Sequence, residues 1–163
     1  MASRVGFGFD THRLEEHIPF LLGGVRIDHG KGAAGHSDAD VLIHAICDAL
    51  LGAAGLRDIG TQFPDTSPEF KGIDSKVLLA RTVELVLQKG YRIGNIDSTV
   101  VLQLPKISPF IPEMVSVLAP ILQVAPDCVS VKAKTSEKLG FIGREEGVSA
   151  YAVVLLEGKT MDN

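Results

Sequence analysis

The chain has 163 residues, of which 45% are hydrophobic and 22% are charged, and its formal net charge is −4. This length predicts one domain with a sizeable buried core, and the acidic balance excludes binding of nucleic acid through a basic face. No apolar run is long enough to span a bilayer, and no signal peptide precedes the first predicted strand. We therefore expect a soluble, cytoplasmic protein that does not act at a membrane.

The N-terminal part predicts two strands and a long helix. Strand patterns cover residues 4–12 and 18–27, and a Gly-Gly pair inside the second strand marks a bulge or turn. The helix is expected to begin near Ser37, which would cap it with Asp40 three positions later, and to end at Gly55. A polar loop rich in glycine and proline follows, and ordered loops of that length are usually functional.

The rest of the chain alternates helices with strands. After the loop at 56–73 come a helix from Asp74 to Gly90, a strand at about 92–103, a helix from Ser108 that Pro120 shortens or kinks, and strands at 128–135 and 148–156. This order predicts an α/β sandwich in which one mixed sheet of four to five strands carries helices on one face. We expect a single catalytic domain over 1–158 and a flexible tail over 159–163.

Polar side chains interrupt two apolar elements, and their spacing indicates a metal site. Asp10 and His12 lie two apart on a predicted strand, so they point to one side, where leaving them unpaired in a core would be costly. On the predicted helix, Asp40, His44 and Asp48 form one polar stripe, with both carboxylates placed to partner the imidazole. The set Asp10, His12 and His44 would leave one tetrahedral position open, as in catalytic zinc sites. The alternative is a core histidine that is bonded to Asp40.

Longer motifs resemble one enzyme family. In chain order they are GFGFDTHRL, AGHSDADVLIHAICDALLGAAGLRDIGTQFPDT, LPKISPFIP and VKAKTSEKLGFIGREEG, and they are similar to motifs of the 2-C-methyl-D-erythritol 2,4-cyclodiphosphate synthases. The resemblance covers nearly the whole chain. It implies conversion of 4-diphosphocytidyl-2-C-methyl-D-erythritol 2-phosphate to the 2,4-cyclodiphosphate, with release of CMP, in the non-mevalonate pathway of isoprenoid (terpenoid) biosynthesis. The reaction is an internal phosphoryl transfer, which needs mainly positioning and neutralisation of charge.

The same resemblance implies a set of site residues. Asp10, His12 and His44 would hold a zinc ion, with manganese as the alternative, and Glu137 would hold magnesium. Catalytic roles fall to His36, Thr135 and Asp65. Substrate-binding roles fall to Asp10, His12, Ser37, Asp58, Ile59, Gly60, Phe63, Pro64, Asp65, Leu102, Pro105, Lys106, Ile107, Ser108, Lys134, Thr135, Ser136, Glu137, Phe141 and Arg144. Within this set, the resemblance implies that Leu102 to Ser108 form the cytidine pocket and that Lys134, Thr135 and Ser136 complete the nucleotide side.

Simpler interpretations of some of these positions stay open from the residues alone. Asp58 and Asp65 are also typical of turns, and the segment TSEK is typical of a surface turn. Lys134 is equally well explained as a solvated lysine on an alternating strand.

The resemblance also implies an assembly. It predicts a homotrimer with active sites between subunits, and the all-round apolar helix that carries His44 is an independent indication of an interface. An apolar channel along the trimer axis would be lined in part by Phe9, Arg144 and Glu146. Some members hold a prenyl diphosphate there, so an isoprenoid diphosphate is a further expected ligand.

Two other functions remain compatible with the residues. A zinc hydrolase acting on a phosphoester or amide would need a general base near the metal, and Asp65 or His36 are the candidates. A trimeric module that binds isoprenoid diphosphates would contain a structural metal site closed by four ligands, for which Cys47 is the nearest thiol in sequence. Cys47 and Cys128 show no pairing pattern, and both are expected to be free thiols.

Overall fold

The computed structural model describes residues 3–158, in which four strands are followed by three helices and then by alternating strands and helices. The strands are β1 (Ser3–Glu16), β2 (Phe20–Leu22), β3 (Val25–Ile27), β4 (Lys31–Ala34), β5 (Tyr91–Val101), β6 (Val129–Lys134) and β7 (Gly147–Gly158). The helices are α1 (Val41–Ala53), α2 (Ile59–Gln62), α3 (Ser75–Gln88), α4 (Ile111–Leu122) and α5 (Gly140–Gly143). The tail predicted at 159–163 lies outside the described residues.

Five strands form one mixed sheet in the order β4-β1-β7-β5-β6. β1 pairs antiparallel with β4 and β7, and β7 pairs antiparallel with β5. Only the β5–β6 pair in this sheet is parallel. The short strands β2 and β3 form a separate hairpin. The predicted α/β fold with one mixed sheet is therefore confirmed.

Two glycines allow α1 to pack closely against the middle of the sheet. Gly6 and Gly8 lie on the same face of β1, because alternate residues of a strand point to one side. A Cβ atom at Gly6 would collide with the carbonyl group of Ala49, and one at Gly8 with the carbonyl group of Ala45. Only hydrogen fits between strand and helix at these points. The close approach fixes α1 against the strand that carries Asp10.

The opposite face of the sheet carries large apolar side chains that this single chain leaves exposed. On β1, Val5 is 69% exposed and Phe7 is 63% exposed. The neighbouring strand β7 continues the surface with Tyr151, whose ring centroid lies 5.1 Å from that of Phe9. We call the set Val5, Phe7, Phe9, Tyr151 and Val153 the open face. A contiguous exposed apolar surface of this kind usually marks an interface.

The first helix begins later than predicted. It starts at Val41, and Asp40 is its N-cap because the Asp40 carboxylate accepts the Ile43 N–H at 3.0 Å. The prediction that Ser37 caps the helix is therefore wrong: its hydroxyl oxygen accepts the Ala39 N–H instead. The C-terminal end of the helix is close to the prediction: the helix ends at Ala53, and Gly55 was the predicted end.

Other boundaries also differ in detail. The predicted strand at 18–27 is the hairpin of β2 and β3, with Gly23 and Gly24 in the left-handed region at its turn. Ser108 begins a short 3-10 turn, and α4 starts only at Ile111. The Asp74 cap of α3 is confirmed, because its carboxylate accepts the Lys76 N–H. The polar loop contains α2 and a 3-10 turn, and neither β4 nor α5 was predicted.

Candidate active site

A cluster of two imidazoles and one carboxylate lies where β1 meets the N-terminal half of α1. Asp10 and His12 project from the face of β1 that α1 covers, and His44 projects from α1 toward them. The Asp10 Oδ2 atom lies 2.9 Å from His12 Nε2 and 3.0 Å from His44 Nδ1. The two ring nitrogens are 3.1 Å apart. The three predicted metal ligands are thus brought together, each offering one donor atom within 4.8 Å of the others.

The second nitrogen of each ring is held by a neighbour outside the cluster. The Nδ1 atom of His12 lies 3.1 Å from the carbonyl oxygen of Ala34, to which an N–H there would donate. The Nε2 atom of His44 lies 2.9 Å from the hydroxyl of Ser75 and 3.1 Å from that of Ser37. These contacts favour tautomers that leave His12 Nε2 and His44 Nδ1 free as ligands. The donor set therefore fits a divalent transition metal such as zinc.

Charges within the cluster are strongly coupled. Burial alone would raise the pKa of Asp10, but hydrogen bonds from His12 and His44 outweigh it and hold the pKa of this carboxyl well below its usual range. Burial would lower the pKa of His12, whereas its hydrogen bond to Asp10 and the charge of that carboxylate raise the pKa above the ordinary value. A carboxylate that stays ionised is the form that a cation needs.

The two carboxylates predicted to partner His44 have other contacts, so that part of the prediction is wrong. Asp40 is fully buried and accepts the N–H groups of Gly23 and Gly24 at 2.9 and 2.7 Å, besides capping α1. Burial raises the pKa of Asp40, and the three N–H donors oppose that rise. Asp48 accepts the Ile59 N–H at 2.7 Å, at the start of α2. Ser75, which sequence reasoning missed, contacts the His44 ring instead.

A cavity of about 340 Å³ opens beside the cluster and gathers many of the predicted site residues. Its lining includes the predicted residues His12, His36, Ser37, His44, Ile59, Gly60, Phe63 and Asp65. Phe70, Ile73 and Leu78 also line it, and no motif singled them out. The Phe63 and Phe70 rings meet edge to face, with centroids 5.6 Å apart. We call this the metal-side cavity.

A second cavity of about 290 Å³ gathers the residues predicted to bind the nucleotide. Its lining comprises Leu102, Gln103, Pro105, Lys106, Ile107, Ser108, Ala133, Lys134 and Thr135. We call it the nucleotide-side cavity. Gln103 is an addition to the prediction, and its side-chain oxygen accepts the Lys138 N–H at 3.1 Å. No described residue lines both cavities.

The remaining predicted site residues line neither cavity. Asp58 is exposed and caps α2, accepting both the N–H and the hydroxyl of Thr61. Arg144 forms an exposed ion pair with Glu146 at 2.9 Å. Pro64, Ser136, Glu137 and Phe141 also lie outside both linings. The predicted roles of these residues stay predictions.

Two further expectations concern the cysteines and the membrane. Both thiols are free, with Cys47 fully buried, and burial raises its pKa to about 12. Among the helices of residues 3–158, none combines the length and the apolar character needed to cross a membrane. The cytoplasmic location stays a prediction.

Comparison with known proteins identifies the family. A model of the YgbB family matches residues 3–157. The 2-C-methyl-D-erythritol 2,4-cyclodiphosphate synthase of Porphyromonas gingivalis is 64% identical over 153 residues, which are 94% of each chain. The enzyme of the same name from Phocaeicola vulgatus is 61% identical over 157 residues, covering 96% of this chain and 98% of its own.

Solved structures agree with this match. The Plasmodium falciparum IspF in complex with CDP has a TM-score of 0.85 and 36% identity, covering 98% of both chains. The bifunctional IspDF from Campylobacter jejuni has a TM-score of 0.93 and 44% identity, over 97% of this chain and 43% of that longer one. The resemblance predicted from the motifs is confirmed, as is the prediction of an enzyme of this kind. The chain belongs to the YgbB family, the family of its 2-C-methyl-D-erythritol 2,4-cyclodiphosphate synthase relatives.

Proposed function

We propose that the chain converts 4-diphosphocytidyl-2-C-methyl-D-erythritol 2-phosphate to 2-C-methyl-D-erythritol 2,4-cyclodiphosphate and CMP. The observation that carries this proposal is the cluster of Asp10, His12 and His44 beside the metal-side cavity, in a chain whose relatives bear the name of that synthase. In the reaction, an oxygen of the 2-phosphate attacks the β-phosphorus, the phosphorus–oxygen bond to CMP breaks, and CMP departs as the leaving group.

The cluster would hold a zinc or manganese ion through Asp10, His12 and His44. When bound, such an ion would withdraw electron density from phosphate oxygens and neutralise their charge. A binding site for a polyanion needs this, because the net charge of −4 repels phosphate at long range. The protein itself would supply positioning: Ser37 and His36 line the cavity at the ligand cluster, and we propose that they orient the phosphates.

The nucleotide-side cavity suits the cytidine half of the substrate. Lys106 and Lys134 bring positive charge to its lining, and the backbone from Leu102 to Ser108 offers donors and acceptors to a base edge. Thr135 lies at the end of β6 in the same lining, where its hydroxyl could hold a phosphate oxygen. Glu137, three residues beyond β6, is our proposed ligand for magnesium.

We further propose a homotrimer in which the metal side of one chain meets the nucleotide side of another. Two observations support this assembly. The two cavities share no lining residue, and the open face presents large apolar side chains that a partner would cover. In that assembly Phe9 and the Arg144–Glu146 pair would line an axial channel suited to an isoprenoid diphosphate. Native mass spectrometry after addition of prenyl diphosphate tests the channel, and absence of any bound ligand would argue against it.

Phosphorus NMR on the purified protein with the cytidyl substrate, magnesium and zinc tests the reaction. We expect CMP and a cyclic diphosphate, and we expect a chelator to stop both. Linear monophosphates would mean that water is the nucleophile, which replaces the proposal with a hydrolase. Full zinc binding without turnover would favour a binding module.

Mixed subunits test the shared site. His44→Gln removes a metal ligand, and Thr135→Ala alters the nucleotide side; each variant alone should have little activity. Because the two changes lie on opposite sides of a shared site, mixed trimers would contain some sites with neither change. Activity should therefore return after the two variants are unfolded and refolded together. Failure to regain activity in mixed trimers would contradict a site built from two chains.

A further inference from the structure

A chain of hydrogen bonds leads from the metal-ligand cluster to Asp38, a carboxylate without a predicted role. The Nε2 atom of His44 lies 2.9 Å from the Ser75 hydroxyl oxygen. The Ser75 hydroxyl donates in turn to Asp38 Oδ1, in a short hydrogen bond. The Ser75 backbone N–H donates to the second carboxylate oxygen of Asp38 at 2.9 Å. Ser75 is completely buried, whereas His44 and Asp38 are partly buried.

The three residues come from separate parts of the chain. His44 lies in α1, Ser75 is the first residue of α3, and Asp38 lies in the loop before α1. The Asp38 backbone N–H also donates to the Ile73 carbonyl oxygen at 3.1 Å. Through these hydrogen bonds, Asp38 connects the start of α3 to the loop that leads into α1. The Ser75 hydroxyl is held from both sides as a result.

The chemistry of the groups fixes the direction of the hydrogen bonds. An ionised carboxylate only accepts hydrogen bonds, so the single Ser75 hydroxyl proton points to Asp38. The Ser75 oxygen is then left as an acceptor toward His44 Nε2, which must carry the ring proton. With Nε2 protonated, loss of the Nδ1 proton, which otherwise donates to Asp10 Oδ2 at 3.0 Å, leaves the lone pair for a metal ion on Nδ1.

We propose that Asp38 and Ser75 are positioning residues that orient His44 for metal binding. Asp38 orients the Ser75 hydroxyl, and Ser75 holds the His44 ring with Nδ1 directed at the cluster. The inference rests on the metal site of the proposed function but does not require that reaction. Loss of either residue leaves the three ligands in place but removes the oriented Ser75 acceptor. The ring nitrogen then keeps the Ser37 hydroxyl at 3.1 Å, and the ring is held less firmly in one orientation and tautomer.

The dissociation constant for zinc, measured by competition with a chromogenic chelator, tests this role. We expect Asp38→Asn and Ser75→Ala to weaken zinc binding by roughly 10- to 100-fold, the effect usual for partners of metal-bound histidines. Asp74→Asn is the matched control: Asp74 lies at the same helix start, but its carboxylate accepts the exposed Lys76 N–H instead. Zinc affinity unchanged in folded Asp38→Asn and Ser75→Ala proteins would overturn the proposal.

If the variants do not fold, the hydrogen-exchange rate of the His44 ring proton in the unmutated protein still tests the proposed role. In the zinc-loaded protein, the Nε2 proton of His44 should give a resonance that exchanges slowly with solvent, because Ser75 accepts it in a buried site. Exchange as fast as that of an exposed imidazole would refute the proposal. Tight zinc binding and slow exchange without any turnover would leave this inference standing and reject the proposed reaction.

Discussion

The two faces of β1 have opposite compositions and opposite surroundings. The face covered by α1 carries Gly6 and Gly8, which have no side chains, followed by two of the proposed metal ligands. The other face carries Val5, Phe7 and Phe9, and it is exposed in the single chain. The unusual feature is the exposed face, because large apolar side chains are ordinarily buried. The comparison fits the proposed assembly, in which β1 would make a tight contact within the chain and a second one with another chain.

The largest expected effect comes from the polar end of the covered face. Asp10→Asn retains the size of the side chain but removes the negative charge that lies between two imidazoles and would hold the proposed cation. We expect turnover to fall by on the order of 1,000-fold, corresponding to several kcal/mol of lost charge stabilisation. Steady-state release of CMP, followed together with zinc content, measures this loss. A fully active variant with bound zinc would show that the carboxylate is not needed.

Gly8→Ala tests the glycine end of the same face. The added methyl group would collide with the Ala45 carbonyl group, so strand and helix would have to separate. We expect a loss of about 1–3 kcal/mol in the free energy of unfolding, the cost of overpacking, measured by urea denaturation. Gly52→Ala is the control, because a Cβ atom there has nothing within 4 Å. That exposed helical position should gain up to about 1 kcal/mol. Equal stabilities of the two variants would contradict the close contact.

Phe7→Lys tests the open face. A charged side chain in the centre of this surface should shift the assembly to monomers, because burying an unpaired ammonium against another chain is costly. Sedimentation velocity measures the shift. Val77→Lys introduces the same charge at another exposed apolar residue, on α3, and should leave the assembly unchanged. If both variants were monomers, or if neither were, the open face would not be the surface through which the chains assemble.

The smallest effect expected is a pH dependence of the metal-free protein. The pKa of His12 is raised above its model-compound value of 6.5, so its contribution to stability is complete below that pH and is lost as pH rises through the folded value. The pKa of Asp10 is lowered from 3.8, so its contribution is present above that pH and is lost in acid. Melting temperatures in chelator should therefore decrease above pH 6.5. A His12→Gln variant should lose most of this decrease; an unchanged profile would assign it to other groups.

The sequence predicted the covered face well because strand geometry has a fixed period. Residues two apart on a strand must share a face, so the spacing alone predicted that Asp10 and His12 point to the same side. Helix geometry likewise predicted that His44 points inward. The start of α1 was misjudged because Ser37 and Asp40 are both good caps, and only Asp40 is placed to accept the Ile43 N–H.

The partners of His44 were not predictable for a different reason. Ser75 lies 31 positions from His44, and its contact depends on how α3 packs beside α1. Within the helix, the nearby carboxylate of Asp40 was the obvious candidate, but the hairpin turn of Gly23 and Gly24 occupies it. Spacing identifies which residues share a face of one element. It does not tell which elements meet.

The buried carboxylate of Asp40 has a consequence for the dynamics of the fold. It accepts N–H groups from the turn between β2 and β3 and from the first turn of α1, two segments separated by β4. Neither segment can open alone without leaving a buried charge partly unsatisfied. Hydrogen exchange at Gly23, Gly24 and Ile43 should therefore proceed through one shared opening event, with similar protection at all three amides. The hairpin and the helix that carries His44 would then unfold as one cooperative unit.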